Sequence, residues 1–142
     1  MPNGFKHLRI LVVEDHHDTA HAMANLLARE AHRVRRVHTG KEALQAASEQ
    51  PFDLLVCDLC LPDITGFEVM RQLKRNYGVM GIAVSGLSSE ETMAEAGQAG
   101  FSRYLAKPVL WETLKRTVTE VMNENAPPHE DLTYQPPLPR EA

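Results

Sequence analysis

Four short apolar runs each end in residues that can do chemistry: "RILVVED" in Glu14 and Asp15, "DLLVCD" in Asp58, "GIAVSG" in Ser85, and "RYLAKP" in Lys107. Three carboxylates brought to one place repel each other, so either a pKa rises or a cation neutralises them. The acids offer only oxygen donors. That favours a hard cation that keeps several waters, Mg²⁺ with Mn²⁺ as a substitute. A metal on one side and the Lys107 ammonium on the other could clamp a phosphoryl group, with Ser85 donating to one of its oxygens. Phosphoryl transfer needs this positioning and neutralisation and little else from a protein. A carboxylate can also be the nucleophile, giving an aspartyl phosphate. Asp58, at the end of the central apolar run, is the best candidate for that role.

Both cysteines, Cys57 and Cys60, flank Asp58 at C-x-x-C spacing. A redox pair normally opens a helix, where the thiol pKa is lowered. This pair straddles the end of a predicted strand. Cys57 alternates with Asp58 and is expected to point into the core as a small apolar side chain. Cys60 falls in the following loop.

These residues must be placed by alternating elements. The continuous apolar runs suit parallel strands covered on both faces, with a weaker strand, "HRVRRV", between the first two. Helices separate them. Ala20, Met23, Ala24 and Leu27, then Gly66, Val69, Met70 and Leu73, then Trp111, Leu114, Val118 and Val121 recur at helical spacing. Thr39 with Glu42, Thr65 with Glu68 and Ser88 with Glu91 fit capping boxes, and Asp18 is a candidate cap for the first helix. Five β-α units imply a three-layer α/β domain on a parallel five-stranded sheet, with right-handed crossovers putting helices on both faces. The ligand edge of such a sheet lies beyond the carboxyl ends of its strands, where Glu14, Asp15, Asp58, Ser85 and Lys107 would meet.

The chain has 142 residues, 43% of them hydrophobic, which suits one domain with a real core. Past Met122 the composition turns proline-rich and polar, which predicts a domain over residues 1–124 and a flexible tail over 125–142. The net charge of -4 argues against a general nucleic-acid binder. The chain has no apolar run of membrane-spanning length and only two cysteines, which points to a reducing cytoplasm.

Taken in order, these motifs resemble the receiver domain of response regulators, over roughly Leu8 to Met122. The acidic pair Glu14-Asp15, Asp58 followed by Pro62 and Gly66, Ser85 closing the fourth strand, and Tyr104 ahead of Lys107-Pro108 all match that pattern. "LRILVVEDHHDTA" and "GFSRYLAKPV" look most like receivers of hybrid histidine kinases. The resemblance implies a flavodoxin-like fold with strand order 2-1-3-4-5. It implies phosphoryl transfer onto Asp58 from the phosphohistidine of a histidine kinase or a histidine phosphotransfer protein. Asp15, Asp58 and the backbone carbonyl of Cys60 would bind Mg²⁺, with Glu14 acting through a water. Ser85 and Tyr104 would form a switch pair for the face built from the fourth helix, fifth strand and fifth helix. The Lys107-Pro108 peptide would be cis. Such a domain is a signalling module, catalytic only on itself.

Other features have plainer readings. His17 and His21 lie one helical turn apart, which could suit zinc, but with His16 they read better as a polar loop and an exposed helix start. In the strand order the resemblance implies, the basic stretch His32–His38 is an edge strand, whose charges discourage strand addition. "PPLP" in the tail reads as a spacer. A phosphatase of the haloacid-dehalogenase type would need an acid two residues after the nucleophile, where Cys60 stands. A flavin-binding module would need a Ser/Thr/Gly-rich loop where "EDHHDT" is acidic. A phosphorylation-independent pseudo-receiver would not need the complete set of Glu14, Asp15, Asp58, Ser85 and Lys107.

Overall fold

The structure is a computed structural model and is described here for residues 7–123. The proposed tail, and the boundary at residue 124, lie outside the described residues. Five strands alternate with five helices: β1 (Arg9–Val13), α1 (His17–Arg29), β2 (Arg33–Val37), α2 (Gly40–Glu49), β3 (Leu54–Asp58), α3 (Gly66–Tyr77), β4 (Met80–Ser85), α4 (Glu90–Ala99), β5 (Arg103–Ala106) and α5 (Trp111–Met122). The sheet is parallel throughout, in the order β2-β1-β3-β4-β5. The parallel sheet is the one the alternation predicts, and its flavodoxin-like order is the one the resemblance implies.

Period-two alternation along the strands builds two cores. Ile10, Val12, Leu54, Val56, Ile82 and Val84 pack with Met23 and Leu27 of α1 and with Leu114, Val118 and Val121 of α5. Leu11, Val13, Leu55, Cys57 and Ala83 pack on the other face with α2, α3 and α4. The central strand β3 is buried at every position, so Asp58 ends a strand with no slack.

Capping sets the helix starts, with two corrections to the expectation from sequence. The Thr39 and Thr65 side chains accept from the N–H of Glu42 and Glu68, as the capping boxes predict. The cap of α4 is Ser89, one residue later than Ser88, and it accepts from Thr92 N–H at 3.0 Å. Two adjacent serines both fit the pattern. Ser89 prevails with a further bond to the Thr92 hydroxyl. Helix α1 begins at His17, so Asp18 lies in the first turn and His16 holds the cap position without a side-chain bond. An acid there still complements the helix dipole.

One buried histidine makes the lower rim sensitive to acid. His32 is 8% exposed, and its Nδ1 accepts the Leu8 N–H at 3.0 Å, so the ring is held neutral. Burial sets its pKa below the ordinary histidine value, with Glu30 opposing that shift and His7 adding to it. An unfolded chain therefore binds the proton first as the pH falls. His32 contributes its full stabilisation above the ordinary value of 6.5 and loses it as the pH drops from there through the depressed folded value. Urea melts from pH 7.5 to 5 should show wild type losing its advantage over His32→Asn on the acid side. A difference that does not vary with pH would refute this.

Candidate functional site

The carboxyl ends of β1, β3, β4 and β5 bring the predicted residues to one rim. Asp58 is 6% exposed, and its two oxygens have separate duties. Oδ1 accepts the Cys60 N–H at 3.0 Å, and Oδ2 receives the Lys107 ammonium at 3.0 Å. The same ammonium lies 3.0 Å from Glu14 Oε1. Lys107 thus bridges two buried carboxylates. Its burial pulls its pKa down, but Asp58 and Glu14 outweigh that and hold it above the ordinary lysine value.

Glu14 is fully buried. Its Oε2 accepts the His16 backbone N–H at 3.1 Å. Its Oε1 has the Lys107 charge but no well-directed hydrogen bond. Asp15 beside it is half-buried, and the His16 imidazole stands 3.3 Å from Glu14 and 3.8 Å from Asp15. One donor atom from each of Glu14, Asp15 and His16 falls within 4.8 Å of the others, so this corner can hold a cation. An acidic pair with one buried oxygen short of hydrogen bonds, next to the Asp58 carboxylate, fits a small oxygen-seeking divalent ion.

Ser85 is fully buried, and its Oγ accepts the Leu87 N–H at 3.0 Å. Tyr104 lies inward, 4% exposed, packed in the core cluster shared with α3 and α4. Among the described residues its hydroxyl has no well-directed hydrogen-bond partner. Burial raises the phenol above its ordinary pKa, opposed by the Ser85 side chain. The Lys107-Pro108 peptide is cis.

The cysteines divide as expected. Cys57 is buried, and burial, with Asp58 and Glu14 nearby, pushes its thiol pKa well above the ordinary value. Such a thiol is inert. Cys60 is exposed in the loop, and both cysteines are free. His17 and His21 do not pair. His17 stacks on His38 with ring centroids 3.7 Å apart, and His21 bonds Asn25 at 3.1 Å. His38 itself reaches the Glu14 backbone carbonyl at 3.0 Å. The basic strand β2 is at the sheet edge, with Arg35 paired to Glu49.

The glycine that follows Asp58 has a steric reason. Gly66 opens α3 directly beneath Asp58, and a Cβ there would lie 2.3 Å from the Asp58 carbonyl oxygen. Real Cβ atoms do not come that close to backbone. Asp63, which sequence reasoning passed over, also belongs to the rim: its carboxylate accepts the N–H groups of Gly40 and Lys41 at 2.8 Å each. Its partners lie on another helix, so nothing local in the sequence announces it.

A doubly wound α/β domain with a buried aspartate, an acidic pair and a bridging lysine at its ligand edge is the class of protein that fold and site define. Residues 10–119 match the response regulator receiver domain, and the chain belongs to that family. It is 31% identical over 114 residues to the transcriptional regulatory protein ZraR of Klebsiella oxytoca, covering 80% of this chain and 26% of that protein. It is 30% identical over 119 residues to the sensory/regulatory protein RpfC of Xanthomonas campestris pv. campestris, covering 80% of this chain and 16% of that one. The chain therefore spans about a quarter or less of these two relatives. Among solved structures it resembles the BeF3-activated DrrB receiver domain, with a TM-score of 0.77, 28% identity, and coverage of 83% of this chain and 99% of that one. A CheY-like receiver domain from Methanospirillum hungatei matches with a TM-score of 0.79, 29% identity, and coverage of 84% and 96%. Among the described residues no helix is long and apolar enough to cross a membrane.

Proposed function

We propose that this chain accepts a phosphoryl group on Asp58 and passes the change to a partner surface. The observation that carries this is the division of labour at Asp58: one oxygen is held by a backbone N–H and the other by a lysine shared with a buried glutamate. In transfer from a phosphohistidine, the phosphorus–nitrogen bond breaks and a bond from phosphorus to an Asp58 oxygen forms. The imidazole leaves with its electron pair. Lys107 then faces the charge that builds on the phosphoryl oxygens. Glu14, Asp15 and Asp58, with the Cys60 carbonyl, would hold Mg²⁺, or Mn²⁺ in its place. When bound, the ion supplies neutralisation of the crowded negative charge. Later hydrolysis of the aspartyl phosphate restores the carboxylate, so the module is catalytic only on itself.

The donor is a histidine kinase or a histidine phosphotransfer protein. A groove of about 740 Å³ runs from Lys107 and His16 between α1 and α5, with Met23, Leu26, Pro108 and Trp111 among its walls. An apolar groove opening beside the reacting group suits a protein donor that must dock before it transfers. On the output side, Ser85 and Tyr104 would respond to the new oxygens. Helix α4 buries only Ala96 and Ala99, so few contacts hold its present position. Cytoplasmic signalling is the setting this reading requires.

Acetyl phosphate with Mg²⁺ tests the proposal by intact mass. One phosphoryl group per chain, lost slowly on standing, is expected. No uptake would overturn the reading in favour of a phosphorylation-independent interaction module.

A further inference from the structure

We propose that Asp63 is a positioning residue for this phosphoryl transfer: by gripping the start of α2 it fixes the loop that holds Cys60 over Asp58. The proposal rests on the function assigned to Asp58 above and adds a residue to its machinery.

The loop over residues 59–65 has an exacting task. It must present the Cys60 N–H to Asp58 Oδ1, at 3.0 Å, and the function proposed above also asks it for the Cys60 carbonyl. Leu59 is fully buried, and Leu61 and Ile64 pack partly buried against the core. Cys60, Pro62, Asp63 and Thr65 are exposed, so polar ties must fix the backbone at those positions. At one end the Gly66 N–H bonds the Leu59 carbonyl at 3.0 Å. In the middle stands Asp63, with Oδ1 on the Gly40 N–H and Oδ2 on the Lys41 N–H, each at 2.8 Å.

These are charge-assisted bonds to the first two amides of a helix that lies elsewhere in the chain, where the helix dipole also favours an anion. Desolvation pushes the Asp63 carboxyl up, but the backbone N–H groups of Lys41, Gly40 and Ile64 outweigh it and hold the pKa below its ordinary value. It is therefore ionised at neutral pH. Helix and loop also touch: a Cβ on Gly40 would lie 2.4 Å from Ile64. Helix α2 is itself anchored, since Ala43 and Ala46 are fully buried. The loop is thus tied to a fixed element, and the ties continue through His38 to the Glu14 carbonyl. Asp63 touches neither the phosphoryl group nor the metal corner. It acts through Cys60.

A plain capping role is the alternative, and Thr39 provides the control. Thr39 caps the same helix through the Glu42 N–H at 3.0 Å but makes no bond to the loop. Mg²⁺ titrations followed by the Cys60 amide resonance, with thermal melts, should be run on wild type, Thr39→Ala, Asp63→Ala and Asp63→Asn. Both alanine variants should melt lower. Asp63→Ala alone should lose about tenfold in Mg²⁺ affinity, the scale typical of a residue that orients a metal site from outside it. It should also take up phosphoryl groups from acetyl phosphate more slowly. Asp63→Asn keeps one acceptor and should fall between. If Asp63→Ala does not fold, Asp63→Asn against Thr39→Ala decides. Equal losses in the Thr39 and Asp63 variants, or no loss in either, would overturn the proposal while wild-type phosphorylation stood. A wild type that neither binds Mg²⁺ nor takes a phosphoryl group would instead overturn the function itself.

Discussion

Asp58→Asn is expected to abolish phosphoryl uptake and to leave the fold intact. The amide that replaces the carboxylate has no anionic oxygen to attack phosphorus, so the loss is complete rather than graded. The shape survives. The amide oxygen of the introduced asparagine can still accept the Cys60 N–H, which now meets Asp58 Oδ1 at 3.0 Å. Lys107 keeps Glu14, 3.0 Å away. One negative charge leaves a corner that also holds Glu14 and Asp15, so repulsion falls and the melting temperature should hold or rise. Intact mass after acetyl phosphate treatment and a thermal melt separate the two effects. Full labelling of Asp58→Asn would place the phosphoryl group elsewhere. A collapsed melt would mean the side chain is needed for folding, and the missing label would then say nothing about chemistry.

Much of this site can be read from sequence because parallel strands convert order into place. Glu14, Asp58, Ser85 and Lys107 each stand at or just past the end of an apolar run. A parallel sheet puts all such ends on one edge, whatever the distance in sequence. The helices are equally legible where burial sets them: Val69, Met70 and Leu73 of α3 are all fully buried. Legibility fades where a bond crosses between elements. His17 and His21 have the spacing of a pair, but His17 is drawn to His38, in the loop after β2. Asp63 looks like an ordinary turn residue until α2 is seen beside it. The Ser88 and Ser89 choice, and the start of α1 ahead of Asp18, turn on one residue of register, which spacing alone does not resolve.

Lys107→Met should show how far one cation holds this rim together. The methionine keeps most of the aliphatic stem but leaves Glu14, fully buried, and Asp58, 6% exposed, without the ammonium they share. Breaking a buried pair costs more than the pair contributes, because a charge is left behind in a poor solvent. The lysine side chain is 27% exposed, so water relieves part of the cost, and roughly 2–3 kcal/mol is expected at pH 7 without metal. The pH dependence has a definite sign. Because its pKa is raised, Lys107 contributes fully below the ordinary lysine value and loses its contribution only as the pH climbs past the raised one. Across pH 5–8 wild type should therefore show no change from this group. Millimolar Mg²⁺ should close the gap, because a divalent ion at the acidic corner takes over the neutralisation and binds only the folded chain. Urea melts of both proteins, with and without Mg²⁺, supply the measurement. A variant as stable as wild type at pH 8 in the absence of Mg²⁺ would show that Glu14 and Asp58 do not depend on Lys107. The bridge between them would then serve phosphoryl transfer alone.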